Sequence, residues 1–501
     1  DYRYTKMDKV FVNHADPCDV AGWWSVSFKH VQLRTVLAQA AVRAAQTGQA
    51  TLASLVVSVP TCDPLRVLHA FQQLYAGHCF YWEQPSRQIA LVGAGAALNL
   101  ETDGATRFED AALAVRKLSA EAVIAYDPAF DGYVPHGPVL FGGFSFDCLY
   151  PRTYLWRDFP AGLLILPTLL FSQQQQQATF TLSQLVRAND DLDSLTNHMS
   201  AQVAEISQLV DALPDFPVSA LVEDQEYCVR DLWSAENWKS LVARTVRSIQ
   251  QGEFAKVVLA RAAQVVTDGQ PFKLTATLQR LRQSYPAANV FALQRGTRTF
   301  LGATPERLLH AQDGQLHTMA LAGSARRGVS EAEDCLLGSE LLHSSKNRHE
   351  HEIVTSMMRA ALAHLCAKVW VADTPELLRL KNIQHLQTAI VGELLPDRCI
   401  LEALQTLHPT PAVGGSPTEP ALAYIRTHEN LDRGWYAGPI GWVDLQGNGE
   451  FAVALRSALL EDHEATLFAG CGIVADSEPE AEYAESCLKL QVILRSLSGE
   501  K

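Results

Sequence analysis

The spacing of apolar and polar positions predicts a mixed chain, and the pattern is clearest in its second half. Ser234 is placed to cap a helix in which Trp238, Leu241, Val242, Val246 and Ile249 recur at steps of one, three and four and share one face. Gly252 ends that segment, and Phe254–Arg261 (FAKVVLAR) then reads as a strand. Thr299–Gly302, Leu316–Leu321, Gly438–Asp444, Phe451–Ala458 and Ala465–Ala469 also read as strands. Glu331–Lys368 reads as long helix, broken near Ser344-Ser345. In the first half, Thr51–Val59 reads as a strand. Pro64–Tyr75 reads as a helix with Asp63 as cap and Pro64 in its first position. Gly137–Phe146 reads as a strand containing a glycine turn, and the tract Gln173–Gln177 as a loop or strand extension. Two prolines among several acids mark Asp211–Glu226 as a linker or surface crossing. Together these elements predict an α/β or α+β protein with large sheets and no fixed-period repeat.

At 501 residues the chain can bury a large core and hold two or more folding units. No run of eighteen or more apolar residues occurs, so no membrane-spanning segment is expected. The net charge of −14 argues against nucleic acid, whose phosphates need a basic face, but leaves room for a small anionic substrate. Ten cysteines are scattered without a C-x-x-C pair, which argues against a zinc ribbon or a thioredoxin-like motif and fits a reducing compartment. The N-terminus lacks a basic stretch followed by an apolar one, so a cytoplasmic protein is expected, with Met7 read as the natural start.

A glycine-rich turn near the C-terminus opens directly into an acidic helix. Ser477 is read as its cap, Pro479 as its first turn, and Glu478, Glu482, Glu485 and Lys489 as one stripe. Two carboxylates one turn apart can hold a divalent cation, and a lysine a turn further on can neutralise an anion held by it. An isolated helix with this pattern would more simply be a solvated face with an ordinary Glu485-to-Lys489 pair. Lys256 sits inside an apolar strand. Burial there would lower its pKa and make it a neutral base; a strand-end lysine reaching solvent explains it equally well. Glu306 follows a strand and a proline turn in FLGATPE. It reads either as a general acid with a raised pKa or, better when taken alone, as a glutamate at a helix N-terminus. In Lys346–Val354 (KNRHEHEIV), HExxH fails because residue 355 is threonine. Glu350 is the ligand candidate for a hard ion, with His349, His351 and Glu352 left as solvated side chains. Gly323-Ser324 offers close backbone approach to a carboxylate or a plain turn. Arg456 offers a bidentate grip on a carboxylate or a structural ion pair.

Each signal is weak by itself, but their order is informative. FLGATPE, LAGSARRG, RHEHEIV, QHL, LHPTPAVGGSP (407–417), LDRGWYAGPIGW (431–442), VALRSA and LFAGCGIV (467–474) precede the acidic helix. From about Ala235 to Leu497 this succession resembles the chorismate-utilising enzymes, and most closely the isochorismate synthases. FGGFSFD (141–147) resembles the same group. The resemblance implies two stacked, mainly antiparallel sheets with helices outside. Residues 7–215 would form an N-terminal α/β part contributing to that sandwich, and residues 227–498 the chorismate-binding catalytic region.

The resemblance also implies roles. Mg²⁺ would hold the ring carboxylate of chorismate through Glu350 and Glu485, with Glu482 acting directly or through water. Asn347 stands where relatives usually carry an acid. Tyr436, Arg456 and Lys489 would contact substrate carboxylates, Gly470 and Gly472 would bring backbone amides close, and Gly323, Ser324 and His385 would line the ring pocket. Lys256 would deprotonate the water that attacks C2, and Glu306 would protonate the departing C4 hydroxyl. The expected activity is Mg²⁺-dependent isochorismate synthesis for a quinone, salicylate or siderophore pathway, in the cytoplasm or, for a plant or alga, the plastid stroma. A monomer or weak dimer with no glutaminase partner is expected. Salicylate synthase, which goes on to expel pyruvate, is the alternative. An aminating synthase is opposed by Lys256, where ammonia-using relatives typically carry glutamine. A non-catalytic chorismate binder is opposed by the presence of base, acid and metal ligands together.

Overall fold

Alternating inward and outward side chains build two large sheets in the computed structural model, which describes residues 26–126, 137–213, 227–379 and 383–499. Among these residues one sheet has 13 strands and the other 10. Their ladders are antiparallel, except where Thr51–Val59 pairs with Val123–Tyr126. Strands from the two ends of the chain interleave in both sheets. Cys79–Gln84 lies beside Asn289–Arg295 in the larger, and Val139–Phe144 beside Pro439–Asp444 in the smaller.

The period-two alternation separates two cores. In Asn289–Arg295, Phe291 and Leu293 enter the layer between the sheets. Val290 and Ala292 face an outer layer of helices that includes Pro64–Leu74, Leu192–Ala212 and Pro479–Ser498. Aromatic rings fill the inner layer: Phe80 of one sheet stacks on Phe141 of the other at 4.5 Å, and Trp156 lies 5.3 Å from Phe300 and 5.5 Å from Phe468. Such pairs contribute about 0.5–1.5 kcal/mol each beyond the area they bury. No disulfide joins any two of the described cysteines. No helix among the described residues is long and apolar enough to cross a membrane.

Several elements follow the sequence closely. Ala235–Gln250 is a helix whose cap Ser234 accepts from the Asn237 N–H at 3.3 Å, and it buries Trp238, Leu241, Val242 and Ile249. Asp63 caps Pro64–Leu74 through the Leu65 N–H at 3.0 Å. The glutamine tract is the end of one strand, the turn at Gln175 and the start of the next.

Others differ. Val139–Phe144 is a continuous buried strand with no turn: Gly142 is small because a Cβ there would lie 1.9 Å from the Leu163 carbonyl oxygen. The long helical stretch breaks at Ser344, where a break was expected, into Glu331–His343 and Ser345–Leu362, but it ends six residues short of Lys368. Cys366–Val371, including Lys368, is a strand. Helical propensity at its start did not outweigh pairing with Ile383–Leu394. The helix Leu192–Ala212 takes in the first residues of the expected linker, and residues 214–226 lie outside the described part, as do residues 1–25.

The difference that matters most concerns Phe451–Ala458. It is two strands in different sheets: Gly449–Val453 belongs to the smaller and Ser457–Glu461 to the larger. Arg456, at φ 48°, turns the chain between them. A second crossover runs the other way, from Arg298–Thr304 in the larger sheet through Pro305-Glu306 to Arg307–Gln312 in the smaller. The two crossovers are tied together. The Ala303 N–H donates to the Arg456 carbonyl at 3.1 Å, and the Val453 N–H to the Glu306 carbonyl at 3.0 Å.

Candidate active site

Lys256 opens the strand Lys256–Thr267, which lies between Glu464–Ile473 on one side and the two-residue strand Gly415–Ser416 on the other. Its side chain does not run out to bulk water. It lies across Gly472, where an added Cβ would sit 3.1 Å from the lysine Cε and 3.7 Å from Nζ. Burial lowers the pKa of this amine; the fields of Glu350 and Glu306 oppose the shift, and that of Lys489 adds to it.

Glu306 stands at the crossover between Arg298–Thr304 and Arg307–Gln312, and no helix follows it, so the helix-terminus reading fails. Its N–H bonds to Thr304 Oγ1 at 3.2 Å, which fixes the backbone just after Pro305. Burial raises the carboxyl pKa against the opposing fields of Lys256, Arg456 and Lys489. Arg456, at the bend of the other crossover and not in the middle of a strand, adds its field to this carboxyl. The crossovers thus bring an acid and a cation to the place where the sheets exchange strands, and the acid lies within the field of Lys256.

The helix Ser345–Leu362 carries Glu350 on its exposed side, and Ser344 caps it through the Asn347 N–H at 3.3 Å. Its other side packs on a bulge in the strand Gln315–Arg326, between Ala322 and Ser324. Gly323 takes φ +76° there, and a Cβ on it would lie 3.3 Å from the Asn347 Cβ. Gly323-Ser324 is thus neither a plain turn nor a strand end. Ser324 pairs across the ladder with His385, its hydroxyl 2.7 Å from Nδ1. Burial lowers the His385 pKa to about 4, with Lys256 and Lys489 adding to the shift and Glu485 opposing it.

His351 is a correction: it is buried, while its neighbours His349 and Glu352 are exposed. Nδ1 lies 3.1 Å from the Ala322 carbonyl and so carries the hydrogen of that bond. Nε2 accepts from the Thr388 hydroxyl at 2.6 Å. The signal was present in the sequence, since His351, Val354, Met358 and Leu362 form the buried stripe of this helix.

The last helix begins at Pro479 with Glu478 at the cap position, making no side-chain cap bond. Ser477 is not the cap. Its hydroxyl accepts from the Val474 N–H at 3.1 Å and donates to Glu482 Oε1 at 2.7 Å. Burial raises the Glu482 pKa, with the Ser477 bond opposing. Glu485 is exposed and pairs with Lys489 at 2.5 Å, and Lys489 also donates to the Gly470 carbonyl at 2.8 Å. Among the described residues no three His, Cys, Asp or Glu side chains converge as a ready metal cage. The donors that the sequence nominates, Glu350 on one helix and Glu482 and Glu485 on the other, are carboxylate oxygens. That set suits a hard ion such as Mg²⁺, which takes one or two protein carboxylates and fills its remaining positions with water and substrate oxygen.

Tyr436 is buried and stacked on Phe468 at 5.3 Å, and burial raises its phenol pKa. Gly470 makes room for it, since a Cβ there would lie 3.0 Å from the hydroxyl oxygen. Gly470 and Gly472 extend beyond Ser457–Glu461, whose pairing stops at Phe468.

Comparison with known proteins agrees with this arrangement. Residues 37–498 match the family model described as "Chorismate binding enzyme". The chain is 36% identical over 462 residues to the isochorismate synthase MenF of Bacillus subtilis, covering 92% of this chain and 96% of that protein. It is 39% identical over 468 residues to the salicylate biosynthesis isochorismate synthase of Pseudomonas aeruginosa, covering 93% and 94%. The solved menaquinone-specific isochorismate synthase MenF of Escherichia coli superposes with a TM-score of 0.72 at 27% identity, over 92% of this chain and 100% of that one. Anthranilate synthase component I of Streptococcus pneumoniae shares the fold, with a TM-score of 0.64 at 19% identity over 81% of this chain and 92% of that one. With its two exchanging sheets, its strand lysine and its crossover glutamate, the chain belongs to the chorismate-binding enzymes and stands among them with the isochorismate synthases.

Proposed function

We propose that this protein is an isochorismate synthase, which isomerises chorismate by adding water at C2 as the C4 hydroxyl leaves. One observation carries the reading. Lys256 and Glu306 lie in each other's field, and burial pushes each toward its uncharged form. A neutral amine and a protonated carboxyl are the states that a base and an acid need at the start of this reaction.

Lys256 takes a proton from the attacking water, so that the C2–O bond forms while the ring double bonds shift and the C4–O bond breaks. Glu306 supplies the proton with which the C4 hydroxyl departs as water. Return of the proton from amine to carboxylate resets the site, and the net change is an isomerisation. Arg456 and Lys489 offer cationic partners for the substrate carboxylates. Tyr436, from the loop beside Gly470, offers a hydroxyl. Gly323, Ser324 and His385 line the ring side, and the low pKa of His385 keeps its imidazole neutral beside two lysines. Glu350 and Glu485, with Glu482 nearby, are the residues that would hold Mg²⁺; when bound it supplies charge stabilisation to the ring carboxylate. Asn347 leaves this region one carboxylate poorer than is usual in the family.

The test is incubation of the purified protein with chorismate and Mg²⁺, followed by chromatographic identification of products. Isochorismate without pyruvate is expected. Pyruvate and salicylate would move the assignment to salicylate synthase, and bound but unchanged chorismate would end the catalytic reading.

A further inference from the structure

The strand that carries Lys256 has an interrupted edge. On the side away from Glu464–Ile473, Gly415–Ser416 pairs only with Lys256 and Val257, and the Val258 N–H reaches back to the Gly414 carbonyl at 3.0 Å. Tyr227–Asp231 takes up the same edge only from Ala263 onward, and the Leu232 N–H reaches the Ala262 carbonyl at 3.0 Å. Among the described residues, the stretch between, at Val258 and Ala260, has no strand beside it. In a buried strand such unpaired backbone groups cost stability unless something else bonds them.

Two charged side chains fill the gap. Glu429, just past the helix Thr418–His428, accepts from the Ala260 N–H at 2.8 Å. Arg433 donates to the Val258 carbonyl at 2.7 Å and to the Val413 carbonyl at 3.1 Å. The two bind one another in a bidentate pair, Nε to Oε1 at 2.6 Å and Nη2 to Oε2 at 2.5 Å. The Glu429 side chain is 0% and that of Arg433 3% exposed, so this ion pair is out of water, and the guanidinium lies 4.2 Å over the Phe146 ring. A buried pair of this kind is a costly way to stabilise a fold, since apolar residues of similar size often serve as well or better. Its bonds explain it better than its stability does. It fastens the catalytic strand two and four residues beyond Lys256, the loop that contains Val413, and, through the Tyr436 N–H on the Arg433 carbonyl at 2.8 Å, the segment that presents Tyr436.

We propose that Glu429 and Arg433 are positioning residues: a salt bridge standing in for a missing strand, which sets the placement of the Lys256 amine relative to Glu306. The proposal rests on Lys256 being the base. Both act through the backbone they hold and not through contact with substrate. Arginine is required because one planar fork serves a carboxylate and two carbonyls together, which a lysine amine cannot do from one point.

Two variants test it. Arg433→Lys keeps the charge balance but gives up the fork. The double variant Glu429→Gln/Arg433→Met removes both charges, keeps an amide carbonyl for the Ala260 N–H, and leaves the Val258 carbonyl without its donor. Both should melt cooperatively. Both should lose about tenfold or more in kcat with KM for chorismate changed much less, because a displaced base damages the chemical step more than ground-state binding. Unchanged kcat in the folded variants would overturn the proposal, as would a rise in KM alone. So would failure of both to fold, which would make the pair a folding element. Lys256→Met is run alongside. Turnover close to that of the parent in that variant removes the base assignment itself, whereas an inactive Lys256→Met beside fully active pair variants removes only the positioning role.

Discussion

Replacing Gly472 by alanine should move stability and activity in opposite directions. Gly472 is exposed at the end of its strand and does not take a left-handed conformation, so alanine fits the backbone. Restricting the unfolded chain in this way stabilises by about 0.4–1 kcal/mol. The new methyl, however, would lie 3.1 Å from Lys256 Cε, and the lysine must give way by a few tenths of an ångström. Misplacing a reacting group by one ångström can cost about 100-fold, so a shift of this size should lower kcat roughly three- to tenfold. The assay pairs urea unfolding with initial rates of isochorismate formation at saturating chorismate and Mg²⁺. An unchanged kcat would mean that the amine does not depend on Gly472 for its place. A marked loss of stability would mean that the clash is with backbone and that the reasoning about a yielding side chain is wrong.

Gly142→Ala should do the reverse: its methyl would meet the Leu163 carbonyl oxygen at 1.9 Å, so the melting curve should show about 1–3 kcal/mol of destabilisation or more, with kcat per folded molecule retained. Lys256→Ala and Glu306→Gln should each cost about 10²–10⁴-fold in kcat at unchanged secondary structure, and near-normal turnover in either removes that residue from the mechanism. Activity should rise with pH through the depressed pKa of Lys256, as the amine loses its proton. It should then fall through the elevated pKa of Glu306, as the carboxyl ionises; a profile lacking both limbs contradicts these roles. Glu485→Gln should shift the Mg²⁺ activation curve to higher metal concentration, and a superimposable curve would exclude Glu485 as a ligand.

Local pattern was enough for the elements whose burial is one-sided. The face of Ala235–Gln250, the capping of Pro64–Leu74 and the extent of Thr51–Val59 follow from period, cap chemistry and side-chain type. The candidate base, acid and carboxylates were nominated by the ordered motifs that resemble the chorismate-utilising enzymes; taken alone, a lysine in an apolar strand and acids on one helical stripe left the blander readings open. What pattern could not supply was the partner of each strand. Gly449–Val453 and Ser457–Glu461 are both buried and apolar, so their sequence reads as one strand, and only pairing with different neighbours reveals the crossover at Arg456. The same holds for Glu306, which looks like the start of a helix until the next strand is seen to join the other sheet. Hydrophobic periodicity records how far a residue is from water, and that quantity is the same in either sheet. Which sheet a strand joins is settled by long-range pairing, and on this depends whether Lys256 and Arg456, at opposite ends of a long stretch of chain, both come within the field of Glu306.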